Sequence, residues 1–248
     1  MEQQPVISIV SPVFQSADIL PVLVERILAT FAARHIEILL VDDGCTDTSW
    51  AVICALADKH PQLRGIRLDK NYGQHTAIFA GLHFCRAESI VVMDCDLQDL
   101  PESIPELTDA LKPDVDAVFA YREKRYNTYM RRQFSNWFYF VLSKLTGTKL
   151  DASVANFGVY KKSLVDEILR KPPHFFYLPL AIRKKTKSTV KCSVPHAERY
   201  SGTSTYSVKR LIALAFRVFM AQCFCAPLLI RSNTTYKVAA DTSAAGQS

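Results

Sequence analysis

The sequence VVMDCDLQDLPE, residues 91–102, joins an apolar run typical of a buried strand to three acids at 94, 96 and 99. Carboxylates at the end of a buried strand are costly unless a positive group compensates them. On a strand Asp94 and Asp96 would point the same way, while Cys95 would face the other layer. Mg²⁺ and Mn²⁺ commonly take one or two protein carboxylates and complete their coordination with water and substrate phosphates. The pair therefore predicts a divalent metal site that forms together with a diphosphate.

Helix capping is the competing interpretation of these acids. An aspartate before Pro101 and Glu102 is an ordinary helix start, so Asp99 is predicted to cap the helix that follows. Capping needs only one acid, so Asp94 and Asp96 keep the metal interpretation.

A second acidic cluster follows the apolar run at 36–41. That run predicts a central parallel strand, and it stops at Asp42 and Asp43. Ligands of an open parallel sheet gather beyond the carboxyl ends of its strands, so both acidic clusters are expected at one edge. One of these two acids is predicted to accept a hydrogen bond from a nucleobase or ribose, whereas Asp47 is predicted to be a helix N-cap.

The loop at 71–75, NYGQH, leads from a strand into a helix at the same edge. Gly73 allows close approach of the backbone, and a helix N-terminus offers amides to a phosphate. Asn71, Gly73 and Gln74 are therefore candidate donor-binding residues, although many strand-to-helix loops share this composition.

The order of the patterns predicts an α/β fold. Apolar β-type runs alternate with helical patterns from 6 to 118, which indicates a mostly parallel sheet with helices on both faces. After about 120 the chain becomes basic and aromatic, and 150–200 is expected to return to the sheet through NFGVYKK, a helix at SLVDEILRK and a strand near TVKCSVPHAERY.

Composition narrows the class of protein. The chain has 248 residues, 49% of them hydrophobic, and a net charge of +6, which suits an anionic membrane or a phosphate-bearing substrate. Seven cysteines without C-x-x-C pairs argue against a disulfide framework and a structural zinc site, and indicate a reducing compartment. Acids on the ligand edge would repel a polyanion, so no nucleic-acid partner is expected.

A continuous apolar run at 211–230 is broken by Arg217 and Gln222. Its length would span a bilayer, but an arginine near the middle costs about 2.5–3.5 kcal/mol on insertion scales. An amphipathic helix over 209–231 that lies at the membrane interface tolerates the arginine better. The small, polar stretch at 232–248 is predicted to be a disordered tail.

Several motifs in order resemble family 2 glycosyltransferases with the GT-A fold, in the branch that acts on polyprenyl phosphates. The chain is most similar to the bacterial undecaprenyl-phosphate aminoarabinose transferases and more distantly to dolichol-phosphate mannosyltransferases. The resemblance covers roughly residues 6–230. The motifs are SIVSPVFQSADILPVLVERI, VDDGCTDTSW, NYGQHTAIFAGL, VVMDCDLQDLPE and HAERYSGTSTYS.

The resemblance implies roles for individual residues. Asp94 and Asp96 correspond to the metal-binding acids, written DCD here where the family usually has DAD. Gln98 is implied to face the sugar as a catalytic-site residue. The nucleotide is implied to lie against Pro12, Val13, Asp42 and Asp43. The acceptor phosphate is implied to be held by Arg122, Arg125, Arg131 and Arg199, because the planar guanidinium suits phosphate oxygens.

The chain departs from the family pattern at two positions. Asn156 stands where the family commonly has an aspartate, and Thr205 stands where it usually has a lysine. These changes are compatible with a different acceptor or with weakened activity. The family branch also continues into a pair of transmembrane helices, whereas a small polar stretch follows 230 here.

The expected function is an inverting, metal-dependent transfer of sugar from a UDP- or GDP-linked donor to a polyprenyl phosphate. Two alternatives remain: transfer to a sugar hydroxyl of a lipid-linked saccharide, and a catalytically weak nucleotide-sugar-binding scaffold. Residues 1–208 are expected to form the glycosyltransferase domain, with the donor half to about 120. The expected location is the cytoplasmic face of the bacterial inner membrane, on its surface, with a homo-oligomer possible.

Overall fold

Strands and helices alternate from the first strand to the fifth, as the apolar pattern predicts. A computed structural model describes residues 5–32, 34–121, 154–173, 176–195, 197 and 234–243. The strands are β1 (Ile7–Val13), β2 (Ile36–Asp42), β3 (Leu63–Leu68), β4 (Ser89–Val92), β5 (Ala117–Tyr121), β6 (Val154–Lys161), β7 (Thr189–Ser193) and β8 (Val238–Asp241). The helices are α1 (Leu20–Thr30), α2 (Ser49–Lys59), α3 (Gln74–Leu82), a 3₁₀ turn (Pro101–Ser103), α4 (Ile104–Asp109), α5 (Lys162–Arg170) and α6 (Leu178–Lys185).

The described strands form one sheet in the order β7-β5-β6-β4-β1-β2-β3-β8. Strands β4, β1, β2 and β3 are mutually parallel, and β7 is parallel to β5. Strand β6 is antiparallel to β4 and β5, between which it lies, and β8 is antiparallel to β3. The predicted mostly parallel α/β sheet is confirmed, including the return of the chain through β6, α5 and β7.

Helices cover both faces of the sheet, which is why the central strands carry almost no polar residues. In β2, Ile38 and Leu40 pack in a cluster with α1, α2 and α4, whereas Leu39 and Val41 pack with α3, α5 and α6. All seven residues of β2 are buried. Full burial of such a side chain contributes about 1.5–3 kcal/mol, so the two clusters fix the sheet between its helical layers.

Glu37 is a buried acid near the start of this largely apolar strand. Its side chain is 2% exposed, and its Oε2 accepts a hydrogen bond from the Ser8 hydroxyl at 2.6 Å. Arg86 donates to it from the backbone N–H at 3.1 Å and from Nε at 2.7 Å. A buried carboxylate requires such partners, so Glu37 joins β1, β2 and the start of β4 at the amino edge of the sheet.

An edge strand forms where the sequence predicts a disordered tail, so that prediction over 232–248 is wrong for β8. Arg64 Nε donates to Asp241 Oδ1 at 3.0 Å, and the Gly65 N–H donates to Thr242 Oγ1 at 2.9 Å. Backbone pairing with β3 and one ion pair hold this strand, and Val238 and the preceding Tyr236 pack partly buried against the core. A polar composition therefore gave no sign of it.

Several predicted features lie outside the described residues. These are the amphipathic helix over 209–231, the arginines at 122, 125, 131 and 199, and Thr205. In the part of the chain that the structure describes, no helix is both long enough and apolar enough to cross a membrane.

Asp241→Asn should lower the free energy of unfolding by about 1 kcal/mol at neutral pH, because it removes a paired charge on the sheet edge. Burial opposes ionisation of Asp241, but hydrogen bonds from Arg64 and Ser243 outweigh it and hold the pKa below its ordinary value. This stabilisation is therefore present above about pH 3.9 and is lost as the pH falls through the lower folded pKa. Urea denaturation across pH measures both effects.

Glu167→Gln is the matched control, because Glu167 pairs with Lys185 at 3.0 Å but is half exposed. It should change stability by less than about 0.5 kcal/mol. Equal effects of the two substitutions would contradict an anchoring role for the Asp241 pair.

Candidate functional site

The carboxyl ends of β1, β2 and β4 lie side by side at one edge of the sheet. Val13 pairs with Asp42, and Val10 pairs with Val92. The side chains of Pro12 and Val13 are buried, so β1 offers its backbone to this edge. We call this edge the rim; it comprises residues 12–13, 42–44, 71–75 and 93–99.

Residues 93–99, which we call the acidic turn, follow β4, which ends at Val92. Asp94 and Asp96 therefore lie beyond the strand, whereas the sequence pattern placed them on it. Asp94, Asp96 and Gln98 are each partly exposed, and the residues between them are buried. The Gln98 N–H donates to Asp96 Oδ1 at 3.2 Å, and Leu97 has φ +57°, a left-handed conformation unusual for leucine. The turn therefore keeps the three polar side chains on its accessible side, and strained backbone of this kind often accompanies a functional site.

The capping predictions need correction. Leu100, and not Asp99, occupies the N-cap position of the 3₁₀ turn, and Asp99 is buried. Thr48 is the N-cap residue of α2, but Asp47 accepts hydrogen bonds from the N–H and the hydroxyl of Ser49, at 3.1 and 2.9 Å. Asp47 thus supports the helix start from one residue further out, whereas burial removes Asp99 from the cap.

Asp42 is fully buried at the end of β2. Its Oδ1 accepts the Cys45 N–H at 2.9 Å and lies 3.8 Å from Arg67 Nε. No hydrogen-bond partner reaches its Oδ2 among the described residues. A buried carboxylate oxygen without a donor is unusual, so Asp42 has the capacity to accept one more N–H. Sequence reasoning missed Arg67, whose position at the carboxyl end of β3 was its only signal.

Asp43 turns towards the loop that precedes α3. Its Oδ1 accepts the Tyr72 N–H and its Oδ2 accepts the Gly73 N–H, both at 2.8 Å. Burial raises the pKa of Asp43 to about 6, although the two hydrogen bonds favour the charged form. The sequence assigned Asp43 to the nucleotide, whereas the structure gives both of its oxygens a contact with this loop.

Gly44 packs directly on the same loop. Its φ is +64°, and a Cβ at this position would lie 2.5 Å from the Asn71 nitrogen and closer still to the Lys70 carbonyl carbon. Only glycine combines this conformation with so close an approach. The turn after β2 and the loop before α3 therefore hold each other in place.

The first turn of α3 reaches the acidic turn. Gln74 is the first residue of α3, and its Nε2 donates to Asp94 Oδ1 at 2.6 Å. Asn71 is exposed at the rim, and Gly73 is the N-cap residue with φ +95°. Sequence reasoning placed Gln74 on the rim but gave no signal for its bond to Asp94.

Two hydrogen bonds involve described residues of the half of the domain that is predicted from the sequence to bind the acceptor, Ala197 and Asn156. The Ala197 N–H, within the HAERYSG motif, donates to the Gln98 carbonyl at 3.1 Å. Asn156 on β6 is partly exposed, and its backbone carbonyl accepts the Tyr160 hydroxyl at 3.0 Å. Ala197 therefore contacts the rim directly, and β6 runs beside it because Gly158 pairs with Val92 at the end of β4.

The acids of the rim suit a hard divalent cation. Among the described residues no group of three or more His, Cys, Asp or Glu could hold a metal by itself. Asp94 and Asp96 supply carboxylate oxygens from two positions of one turn, which matches the one or two carboxylates that Mg²⁺ takes when phosphates and water complete the shell. The residues fit such an ion when it arrives with a diphosphate.

Residues 8–169 match the sequence profile of a family described as Glycosyl transferase family 2, and the chain belongs to this family. It is 32% identical over 213 residues to the undecaprenyl-phosphate 4-deoxy-4-formamido-L-arabinose transferase of Sodalis glossinidius. That alignment covers 85% of this chain but 65% of the relative, so the chain spans about two thirds of the relative's length.

Solved structures share the fold at low sequence identity. A mannosyltransferase from Pyrobaculum calidifontis in complex with GDP-Man and Mn²⁺ has a TM-score of 0.61 and 17% identity, over 93% of this chain and 66% of the other. Glucosyl-3-phosphoglycerate synthase from Mycobacterium tuberculosis, in complex with Mn²⁺, UDP and glucosyl-3-phosphoglycerate, has a TM-score of 0.59 and 13% identity, over 88% of this chain and 80% of the other. The architecture is the GT-A fold that the motifs predict.

The raised pKa of Asp43 predicts how the free energy of unfolding depends on pH. Its folded pKa of about 6 exceeds the ordinary value of about 3.9, so the folded state holds this proton more tightly. That stabilisation is complete below about pH 4 and is lost as the pH rises through about 6. Asp43→Asn cannot titrate, so its unfolding free energy relative to wild type should rise between about pH 4 and 7, by up to about 3 kcal/mol.

Urea denaturation at several pH values measures this difference. Asp58→Asn, on the exposed face of α2, is the control and should show no such trend. A flat difference between Asp43→Asn and wild type would mean that Asp43 titrates normally in the folded protein.

Proposed function

We propose that the chain is an inverting glycosyltransferase that moves a sugar from a nucleotide-sugar to an undecaprenyl-type polyprenyl phosphate in cell-envelope polysaccharide synthesis. The hydrogen bond from Gln74 to Asp94 carries the proposal, because it joins the N-terminus of α3 to the acidic turn. A helix N-terminus attracts phosphate and carboxylates attract a divalent cation, so the two together suit a metal-bound diphosphate. The name of the Sodalis relative supports the polyprenyl acceptor.

The donor would lie along the rim from β2 to β4. Asp42 Oδ2 would accept an N–H of the base, since a carboxylate only accepts hydrogen bonds. The diphosphate would lie against Asn71, Gly73 and Gln74, and Gln98 would face the sugar. Neighbours in complex with UDP and with GDP-Man support a UDP- or GDP-linked donor.

Asp94 and Asp96 would hold Mg²⁺ or Mn²⁺ at the diphosphate. When bound, the ion would stabilise the negative charge that develops on the departing nucleoside diphosphate. The protein's part is to orient the two carboxylates. Neighbour structures that contain Mn²⁺ or Mg²⁺ support this use of the acidic turn.

A phosphate acceptor suits the residues on the far side of the rim. A phosphate is already ionised at neutral pH, so it needs orientation more than it needs a general base. Arg122, Arg125, Arg131 and Arg199 would provide that orientation. A sugar hydroxyl would instead need its proton removed, and position 156 carries an asparagine and not a carboxylate, which favours the phosphate.

We also propose that the enzyme associates with one face of the membrane, the cytoplasmic face of the bacterial inner membrane. Ala197 bonds to the acidic turn, and β8 pairs with β3, so the chain on either side of 198–233 belongs to one domain. If the apolar run at 211–230 crossed a bilayer once, these two parts would be separated by it. This connectivity supports the interfacial position predicted for 209–231.

Asp96→Asn should reduce transfer by at least about 100-fold while the fold is preserved, because an amide binds a divalent cation much more weakly than a carboxylate does. The assay combines enzyme, Mn²⁺, polyprenyl phosphate and a panel of radiolabelled UDP- and GDP-sugars, and it counts label extracted with the lipid. Asp58→Asn is the control and should transfer normally.

Near wild-type transfer by Asp96→Asn would contradict the metal role of the acidic turn. Saturable nucleotide binding by the wild type without any transfer would instead support a binding scaffold.

Changing Arg122 and Arg125 together to alanine should raise the KM for polyprenyl phosphate by at least about tenfold and leave the donor KM within about threefold, because arginines bind the acceptor phosphate. Steady-state kinetics with each substrate varied in turn separates these effects. Equal losses for donor and acceptor would contradict the assignment.

A further inference from the structure

We propose that Gln74 is a positioning residue for the metal-binding carboxylate of Asp94, an assignment that rests on the proposed function. Its side-chain amide would hold one oxygen of Asp94 so that the carboxylate keeps the orientation in which it binds a divalent cation.

The contact is short and has a definite direction. Gln74 Nε2 lies 2.6 Å from Asp94 Oδ1. A carboxylate can only accept a hydrogen bond, so the amide nitrogen and not the amide oxygen must face it. Hydrogen bonds to an ionised carboxylate are stronger than those between neutral groups. The bond therefore restrains rotation of the Asp94 side chain.

The neutrality of the donor is important for a metal ligand. A lysine or arginine in the same place would bring a positive charge into competition with the divalent cation. The amide of Gln74 orients the carboxylate without cancelling its charge. Groups that orient a ligand in this way commonly change metal affinity by 10- to 100-fold when they are removed.

The backbone that carries Gln74 is itself held firmly. Asp43 accepts the N–H groups of Tyr72 and Gly73, both at 2.8 Å, immediately before Gln74. On the other side, the rings of His75 and Tyr177 meet edge to face, with centroids 5.0 Å apart. The first turn of α3 is thus fixed to β2 and to the start of α6, so Gln74 reaches Asp94 from a rigid base.

The test measures Mn²⁺ binding directly, by the electron paramagnetic resonance signal of free Mn²⁺. Protein is titrated in the presence of UDP and, in a parallel series, of GDP. Gln74→Ala removes the donor, and Gln74→Met removes the donor while keeping the length of the side chain. Both should weaken Mn²⁺ binding by about tenfold. Gln62→Ala, an exposed glutamine at the opposite edge of the sheet, should bind as wild type does.

Kinetics provide a second measurement that a purely structural role would not reproduce. In Gln74→Met the apparent KM for Mn²⁺ should rise by about tenfold, and this rise should exceed the rise in the KM for the nucleotide-sugar. An equal or larger rise in the KM for the nucleotide-sugar would overturn the positioning role, because Gln74 would then act on the donor and not through Asp94.

Asp96→Asn separates this inference from the proposed function. Wild-type Mn²⁺ affinity in Gln74→Met, with binding lost in Asp96→Asn, would overturn the role of Gln74 alone. Wild-type affinity in Asp96→Asn as well would overturn the metal site and both proposals with it.

Discussion

The carboxylate of Asp43 ties the end of β2 to the loop before α3, and the arrangement of the rim depends on that tie. Two backbone N–H groups converge on it, and Gly44 lets the two loops come into direct backbone contact. Because α3 starts at Gln74, directly after Tyr72 and Gly73, the tie also sets where Gln74 meets Asp94. Asp43 is thus connected to the second acidic cluster through the loop before α3 and the Gln74 side chain.

Three buried acids on or directly after β2 illustrate different uses of a buried charge. Glu37 is satisfied by Ser8 and Arg86 at the amino edge, where it joins neighbouring strands. Asp43 is satisfied by backbone N–H groups and shapes a loop. Asp42 keeps one oxygen without a partner among the described residues. Since burying a polar atom without a partner is costly, the last case is the one that points to a ligand.

Solved structures that are only 13–17% identical in sequence share this fold. A parallel sheet buried on both faces needs apolar residues of suitable size more than it needs particular ones, so its strands can diverge while the fold persists. Chemistry requires particular residues, and these lie in the short loops at the carboxyl ends of the strands. The shared fold therefore does not identify the substrate, which the rim residues must establish.

Apolar periodicity alone predicted β1 to β5, their helices and the location of both acidic clusters at one edge, because burial on two faces leaves a clear pattern. It also predicted the returning strands β6 and β7. It could not predict that β6 would lie antiparallel between β4 and β5, or that β8 would pair with β3, because pairing partners depend on backbone hydrogen bonds that no single strand specifies. The sequence likewise could not distinguish Asp42 from Asp43: adjacent carboxylates look alike, and only packing decides which one meets backbone N–H groups and which keeps an oxygen without a partner among the described residues. The same holds for Gln74 and Asp94, which are 20 residues apart in the chain and meet because Asp43 and Gly44 fix the loop that directly precedes Gln74.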